Sequence, residues 1–348
     1  MTDFTPPSQP DPAQPAPVSD DPRAALQEAL QEIKQVIVGQ DAMLERLLVA
    51  LLAGGHVLLE GVPGLAKTLT IKTMSQVLGG SFARIQFTPD LVPSDIIGTR
   101  IYRPNSGDFE TGLGPVFANF VLADEINRAP AKVQSALLEV MQEGQVTIAG
   151  TAYEVPKPFI VMATQNPIES EGTYPLPEAQ VDRFLMKVLV DYPTTSEESA
   201  VVGRSLAGER DVRELLTLDR LARYRDAARE VIVGREVISY AVALTDATRN
   251  PAAHGLHELS GQVQHGASPR GSIGLVHAAR VLALLRGRGH ATTQDVRDLA
   301  RDVLRHRLVL SYDALASGIT PDDILDRTIA TVADPSGHGL TSGRSRAA

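Results

Sequence analysis

The sequence predicts an α/β domain with a parallel sheet between helices, followed by a smaller all-helical domain. Three observations carry this. Five short β-rich apolar runs, Val57 to Leu59, Ile85 to Phe87, Phe120 to Ala123, Phe159 to Ala163 and Phe184 to Val190, alternate with helical patterns, which is what parallel strands joined by crossover helices require. From Thr195 to about Asp334 no comparable run occurs, and Leu-, Ala- and Arg-rich helical patterns take over. The 348 residues, 43% of them hydrophobic, suffice for one α/β domain of ordinary size plus a second, smaller core.

In chain order, residues 1–22 hold seven prolines and four Asp with almost no large apolar side chains. Such a stretch cannot bury enough surface to offset its ordering entropy and is expected to be a disordered tail. Order is expected from Asp21-Pro22, an N-cap followed by proline at the first helical position, with Leu26, Leu30 and Ile33 forming an apolar stripe. The α/β domain is assigned to 23–193. Within it a helix starts at Pro130, presents Val133, Leu137 and Met141 on one face and stops at Gly144. Two hairpins interrupt the alternation. Arg100-Ile101-Tyr102 and Asp108-Phe109-Glu110 flank Pro104-Asn105-Ser106-Gly107, and Val146/Ile148 and Tyr153/Val155 flank Ala149-Gly150-Thr151; each is equally explained as surface decoration. Asp191-Tyr192-Pro193-Thr194 reads as a hinge. The helical domain is assigned to 194–334, and 335–348 reads as a second disordered tail.

Composition removes several function classes. Without cysteine there is no disulfide, thiol chemistry or sulfur-based zinc site. The eight His form no HExxH pair, so His56, His277 and His306 read as packing or surface residues. A net charge of -9 argues against nucleic acid as the main partner. The one Arg-rich region, Arg280 to Arg307 with seven Arg against three Asp, reads as a solvated helix face. No stretch approaches the ~18 apolar residues of a membrane span, the N-terminus has no secretory pattern, and cytoplasmic residence is the default expectation.

The segment GVPGLAKT, comprising Gly61, Val62, Pro63, Gly64, Leu65, Ala66, Lys67 and Thr68, follows an apolar strand and precedes a helical stretch, and Leu69 directly after it is counted with the nucleotide-binding residues. In that context backbone N–H groups and a helix N-terminus cradle phosphates, Lys67 reaches the terminal phosphates and Thr68 meets Mg²⁺. The strict GxxxxGK[ST] pattern is not met, because Ala66 stands at the second Gly. Downstream, Phe120-Val121-Leu122-Ala123 ends in Asp124-Glu125, where the first carboxylate can hold Mg²⁺ and the second can act as base towards a water attacking the γ-phosphate. A third strand runs into Thr164-Gln165-Asn166-Pro167; the amide of Asn166 would face a ligand at the strand ends, although Asn-Pro is also a plain turn signal. Arg270 falls in the first turn of a helix capped by Ser268. Arg183, in Asp182-Arg183-Phe184, is on these grounds equally an exposed charge before a strand.

Taken together, VIVGQ (Val36 to Gln40), GVPGLAKT, FVLADEINRA (Phe120 to Ala129), ATQNP (Ala163 to Pro167), EGTYPLPEAQVDRF (Glu171 to Phe184) and GASPR (Gly266 to Arg270) resemble the MoxR family of AAA+ ATPases over roughly Ile33 to Val332. The family's loop commonly carries Ala before the lysine. The resemblance implies a P-loop AAA+ domain with a five-stranded parallel sheet, a helical lid, and a ring of usually six subunits with ATP and Mg²⁺ at each interface. It implies that Val38, Gly39 and Gln40 lie against adenine, that Asn166 orients water, that Arg270 is the lid sensor arginine, and that Arg183 is an arginine finger reaching a neighbour's ATP. All the other catalytic residues are expected beside their own P-loop. The hairpins around Asn105 and Gly150 would face a central channel or client.

The expected output is ATP-driven, chaperone-like remodelling or metal loading of a protein client, often one carrying a von Willebrand factor A domain. The alternatives are a nucleotide-dependent scaffold or switch with slow hydrolysis, and a DNA-directed motor, against which the acidic balance argues.

Overall fold

The computed structural model describes residues 19, 21–105, 107–167, 172–208 and 210–335. The two tails expected to be disordered therefore lie outside the described residues, apart from Ser19, Asp21, Pro22 and Pro335, as do Ser106 of the first hairpin turn and Glu171 of the EGTYPLPEAQVDRF segment.

Helix α1 (Pro22–Lys34) opens with Pro22 at its first position and the Asp21 carboxylate accepting from the amides of Arg23 and Ala24. It is followed by α2 (Asp41–Ala53), β1 (Val57–Glu60), α3 (Lys67–Val77), β2 (Phe82–Gln86), α4 (Pro93–Ile97), the hairpin β3 (Gly98–Arg103) and β4 (Asp108–Leu113), and β5 (Phe120–Asp124). Then come α5 (Ala131–Glu143), the hairpin β6 (Gln145–Ile148) and β7 (Thr151–Glu154), β8 (Ile160–Gln165), α6 (Glu178–Val181) and β9 (Met186–Leu189). The expected five-stranded parallel sheet is present, in the order β2-β5-β8-β1-β9. Alternating side chains serve two cores. Val57, Leu59, Phe120, Leu122, Ile160 and Met162 pack with α1, α2 and α3. Leu58, Val121, Ala123, Val161 and Ala163 pack with α5.

The remaining helices are α7 (Thr195–Ala207), α8 (Leu218–Glu230), α9 (Arg235–Arg249), α10 (Pro269–Leu285), α11 (Thr293–Leu304), α12 (Tyr312–Ala316) and α13 (Pro321–Thr331). A short antiparallel ribbon of β10 (Val263–His265) and β11 (Val309–Leu310) lies among them; strands of three and two residues are too short to register as apolar runs. The helical region shares one core with the sheet: Leu275 of α10 and Leu299 of α11 belong to the same buried cluster as Leu47 of α2 and Val188 of β9.

The Arg280–Arg307 run is not the solvated face expected from its spacing. Asp295, fully buried, receives Arg286 at 2.9 Å and Arg288 at 2.8 Å. The Arg305 side chain is only 10% exposed and bridges Asp302 and Asp322, while that of Arg307, 3% exposed, reaches back to Asp182. Three of these carboxylates, Asp295, Asp302 and Asp322, come from the same stretch or from α13, and the pairing that internalises the arginines is invisible to a helical-spacing argument.

Candidate active site

The chain turns sharply after β1. A Cβ on Gly61 would meet the Val190 carbonyl oxygen at 2.5 Å, so only glycine lets the loop pass there. Gly64 lies at φ 88 with open space around it. Ala66 adopts φ 53, ψ 20 immediately before α3, a left-handed backbone that costs a non-glycine residue about 1–2 kcal/mol. Lys67 and Thr68 form the first turn of α3, so their side chains and the unpaired amides of a helix N-terminus face the same loop. The Lys67 ammonium donates to the Gly61 carbonyl at 2.6 Å. Burial lowers its pKa, opposed by Asp124, Glu125 and Glu60.

The acidic pair ends β5, two strands away across β8. Asp124 accepts from the Thr164 hydroxyl at 2.6 Å through Oδ1, and from Arg84 Nη2 and Nε at 2.7 and 3.1 Å through Oδ2. Glu125 is left-handed at φ 56, ψ 51. Its amide donates to the same Thr164 oxygen at 2.8 Å, and its Oε2 accepts from Gln86 at 2.9 Å and lies 3.3 Å from Arg128 Nε. Asn166 follows β8 directly and is buried. Register aligns Gln86 with Asp124 and Glu60 with Gln165, so the P-loop, Asp124, Glu125 and Asn166 share the carboxyl edge of one sheet, where open α/β sheets bind ligands.

The Val38-Gly39-Gln40 segment lies at that edge too. Gln40, at φ 57, donates from Nε2 to the Asp191 carbonyl at 3.1 Å, and the Glu197 carboxylate stands where a Cβ on Gly39 would go. Val190, next to Asp191, is the residue that touches Gly61.

Arg183 and Arg270 stand elsewhere. Arg183 lies two residues before Leu185, whose amide donates to the His56 carbonyl at 2.8 Å, next to the amino end of β1. Together with Gly54, Gly55, Ile273 and Gly274, both arginines line a cleft of about 250 Å³. Gly55 and Gly61 flank the two ends of β1, so the four residues of that strand, about 10 Å long at the usual rise, lie between this cleft and the P-loop. The expectation that Arg270 lies beside its own P-loop is therefore corrected. α10 packs on α1 and α2, which carries its N-terminus to the amino edge instead of over the nucleotide loop.

Thr164, Arg84, Gln86 and Arg128 escaped the sequence reading. Thr164 sits inside the quoted ATQNP motif, and Arg84 and Gln86 alternate about Ile85 as same-face residues of a strand should. Their targets follow only from the strand register.

A phosphate-type loop on β1, an acidic end on β5 and a helical domain after a five-stranded parallel sheet together define an ATPase of the AAA class. Comparison with known proteins agrees. Residues 56–186 match the model of the ATPase family associated with various cellular activities (AAA), and residues 259–328 match the AAA lid domain. Chaperone MoxR1 of Mycobacterium tuberculosis is 56% identical over 89% of this chain and 82% of its own length. Protein MoxR of Methylorubrum extorquens is 33% identical over 84% and 90%. A crystal structure from Cytophaga hutchinsonii, solved as that of a candidate ATPase, superposes with a TM-score of 0.86 at 45% identity, covering 90% of this chain and 95% of that one. The chain belongs to the MoxR family of AAA+ ATPases.

Proposed function

We propose that this protein hydrolyses ATP with Mg²⁺ in a ring of subunits, usually six, and spends the energy on chaperone-like remodelling or metal loading of a protein client, one with a von Willebrand factor A domain being a suitable class. The observation that carries the reading is the division of labour between sheet edges: Lys67, Thr68, Asp124, Glu125 and Asn166 at the carboxyl edge, Arg183 and Arg270 at the amino edge. A site completed by cations from the far side of another copy accounts for both. The name of the Mycobacterium relative, a chaperone, supports the output. Residues 23–193 serve as the nucleotide-binding base and 194–334 as the lid.

The residues fit the ligands. The open space around Gly64, the helix N-terminus at Lys67 and the half-buried ammonium suit a polyphosphate. Thr68 and Asp124 offer the oxygen ligands Mg²⁺ takes. Bound there, Mg²⁺ would neutralise charge building on the phosphate oxygens. Lys67 leaves the Gly61 carbonyl to reach the β/γ-phosphates. Glu125 takes the proton of the attacking water, which Asn166 helps orient, and Gln86 holds the Glu125 carboxylate at 2.9 Å until then. Arg183 and Arg270 stabilise charge on a neighbour's γ-phosphate.

The test compares two variants. Lys67→Ala removes a charge-assisted phosphate contact and should abolish most nucleotide affinity, whereas Glu125→Gln should keep binding and lose turnover. Equal loss of ATP binding in both would show that Glu125 is not the base. Client stimulation of steady-state hydrolysis separates a remodeller from a scaffold, which would not be stimulated.

A further inference from the structure

We propose that Asp182 and Arg307 are positioning residues through which the lid fixes Arg183 and Arg270; the inference rests on the finger reading of Arg183 given above. Arg307 follows α11 in the lid, and its side chain is 3% exposed. One guanidinium holds almost the whole segment around Arg183. Its Nε donates to Asp182 Oδ1 at 2.9 Å, its Nη2 to the Phe184 carbonyl at 2.7 Å and the Asp182 carbonyl at 3.3 Å, and its Nη1 to the Leu185 carbonyl at 3.3 Å. Besides the Val303 carbonyl and His306 of its own region, its contacts fall on residues 182, 184 and 185 and leave the Arg183 side chain to the cleft.

The Asp182 carboxylate repeats the arrangement from the other side. It accepts from the Ser268 hydroxyl at 3.1 and 3.0 Å and from Arg270 Nη1 at 3.4 Å. One carboxylate thus ties the segment bearing Arg183 to the helix start bearing Arg270. Stability alone does not call for this chemistry, since a buried ion pair is often matched by apolar residues of similar volume. What a planar five-donor fork adds is direction. Burial lowers the Arg307 pKa to about 10, with Asp182 opposing, so the fork stays charged at neutral pH.

The experiment uses the full-length assembled protein. Asp182→Asn keeps the shape but weakens the grip, and because a misplacement of about 1 Å costs up to ~10²-fold in rate, kcat for ATP should fall about 10- to 100-fold with KM and nucleotide affinity nearly unchanged. Mixed with Lys67→Ala subunits, whose Arg183 is intact, Asp182→Asn should regain activity; a variant damaged in its own nucleotide site or in general stability would not. Arg307→Lys keeps the charge but loses the fork and should show a smaller kcat loss with the same recovery on mixing, which keeps the test open if Asp182→Asn does not assemble. Wild-type kcat in either variant, while Arg183→Ala is impaired, overturns the positioning inference alone. Full activity in Arg183→Ala overturns the finger reading and this inference with it.

Discussion

The Thr164 hydroxyl joins two halves of the candidate catalytic apparatus with a single oxygen. It donates to Asp124 and accepts from the Glu125 amide, and it is buried at 2% exposure, so no water replaces it without rearrangement. It also explains how Glu125 holds a left-handed backbone, a conformation that non-glycine residues keep only where surroundings impose it. Among the described residues, four that are not glycine have positive φ, and three of them, Gln40, Ala66 and Glu125, lie at the proposed nucleotide site; strain is concentrated where ligand contact would need it. Thr164→Val removes the hydroxyl at nearly constant volume and leaves a buried amide without its acceptor, which costs about 1–3 kcal/mol. We expect a lower melting temperature, together with a reduced ATPase rate that needs more Mg²⁺ to saturate, and restoration of both by Thr164→Ser. A Val variant with unchanged Mg²⁺ dependence would mean that the hydroxyl does not hold Asp124 in place.

Among elements, the amino end of β1 is fixed by His56, whose Nδ1 accepts from the Val161 amide at 2.9 Å while Nε2 lies 3.1 Å from the Met141 carbonyl at the end of α5. Burial pushes its pKa down to about 4, against the Met141 carbonyl. In the unfolded chain the group titrates near 6.5 and binds a proton that the folded state refuses. Its contribution is therefore intact above pH 6.5 and is lost as pH falls towards 4, by roughly 3 kcal/mol over that window. Thermal unfolding followed from pH 7 to 4 should show a shallower loss for His56→Gln than for the unsubstituted protein; equal slopes would place the acid sensitivity elsewhere. The sequence reading left His56 as a packing or surface residue and could not name its partners, and the same division runs through the fold. All five sheet strands, the capped start of α1, helix α5 and both hairpins were legible, because each is encoded by local periodicity or turn chemistry. Strand order was not legible from the runs themselves, and neither were the contacts of Arg84, Gln86 and Thr164, which depend on register across strands remote in sequence. The arginines just after α11 were misread for a related reason: Arg307 is drawn inward by Asp182, and Arg305 in part by Asp322, both outside any local window.

For the whole molecule, the two arginines expected to serve catalysis line a cleft at the amino end of β1, while their own phosphate loop leaves its carboxyl end. Either they are not catalytic, or they act on another copy, or the lid moves to carry Arg270 to its own nucleotide. Mixing inactive variants distinguishes the cases, because each arrangement predicts which pairs recover. If Arg183 and Arg270 both act in trans, a Lys67→Ala subunit still offers two intact arginines to a neighbour whose own loop works, so Lys67→Ala should rescue Arg183→Ala and also Arg270→Ala. The mixture of Arg183→Ala with Arg270→Ala should stay inactive, since every working loop then faces a subunit lacking one of the two cations. If the lid instead swings Arg270 onto its own nucleotide, the pattern inverts: Lys67→Ala no longer rescues Arg270→Ala, whereas Arg183→Ala and Arg270→Ala rescue each other at interfaces pairing the loop and lid of the first with the finger of the second. Since an arginine finger contributes about 10³ to 10⁵ in rate, even partial recovery, limited by the fraction of correctly paired interfaces, stands far above the background of either variant. Co-assembly is verified beforehand by mass-tagging one variant. We expect the first pattern, and recovery between the two arginine variants in verified mixed rings would overturn the trans assignment of Arg270 while leaving that of Arg183 in place.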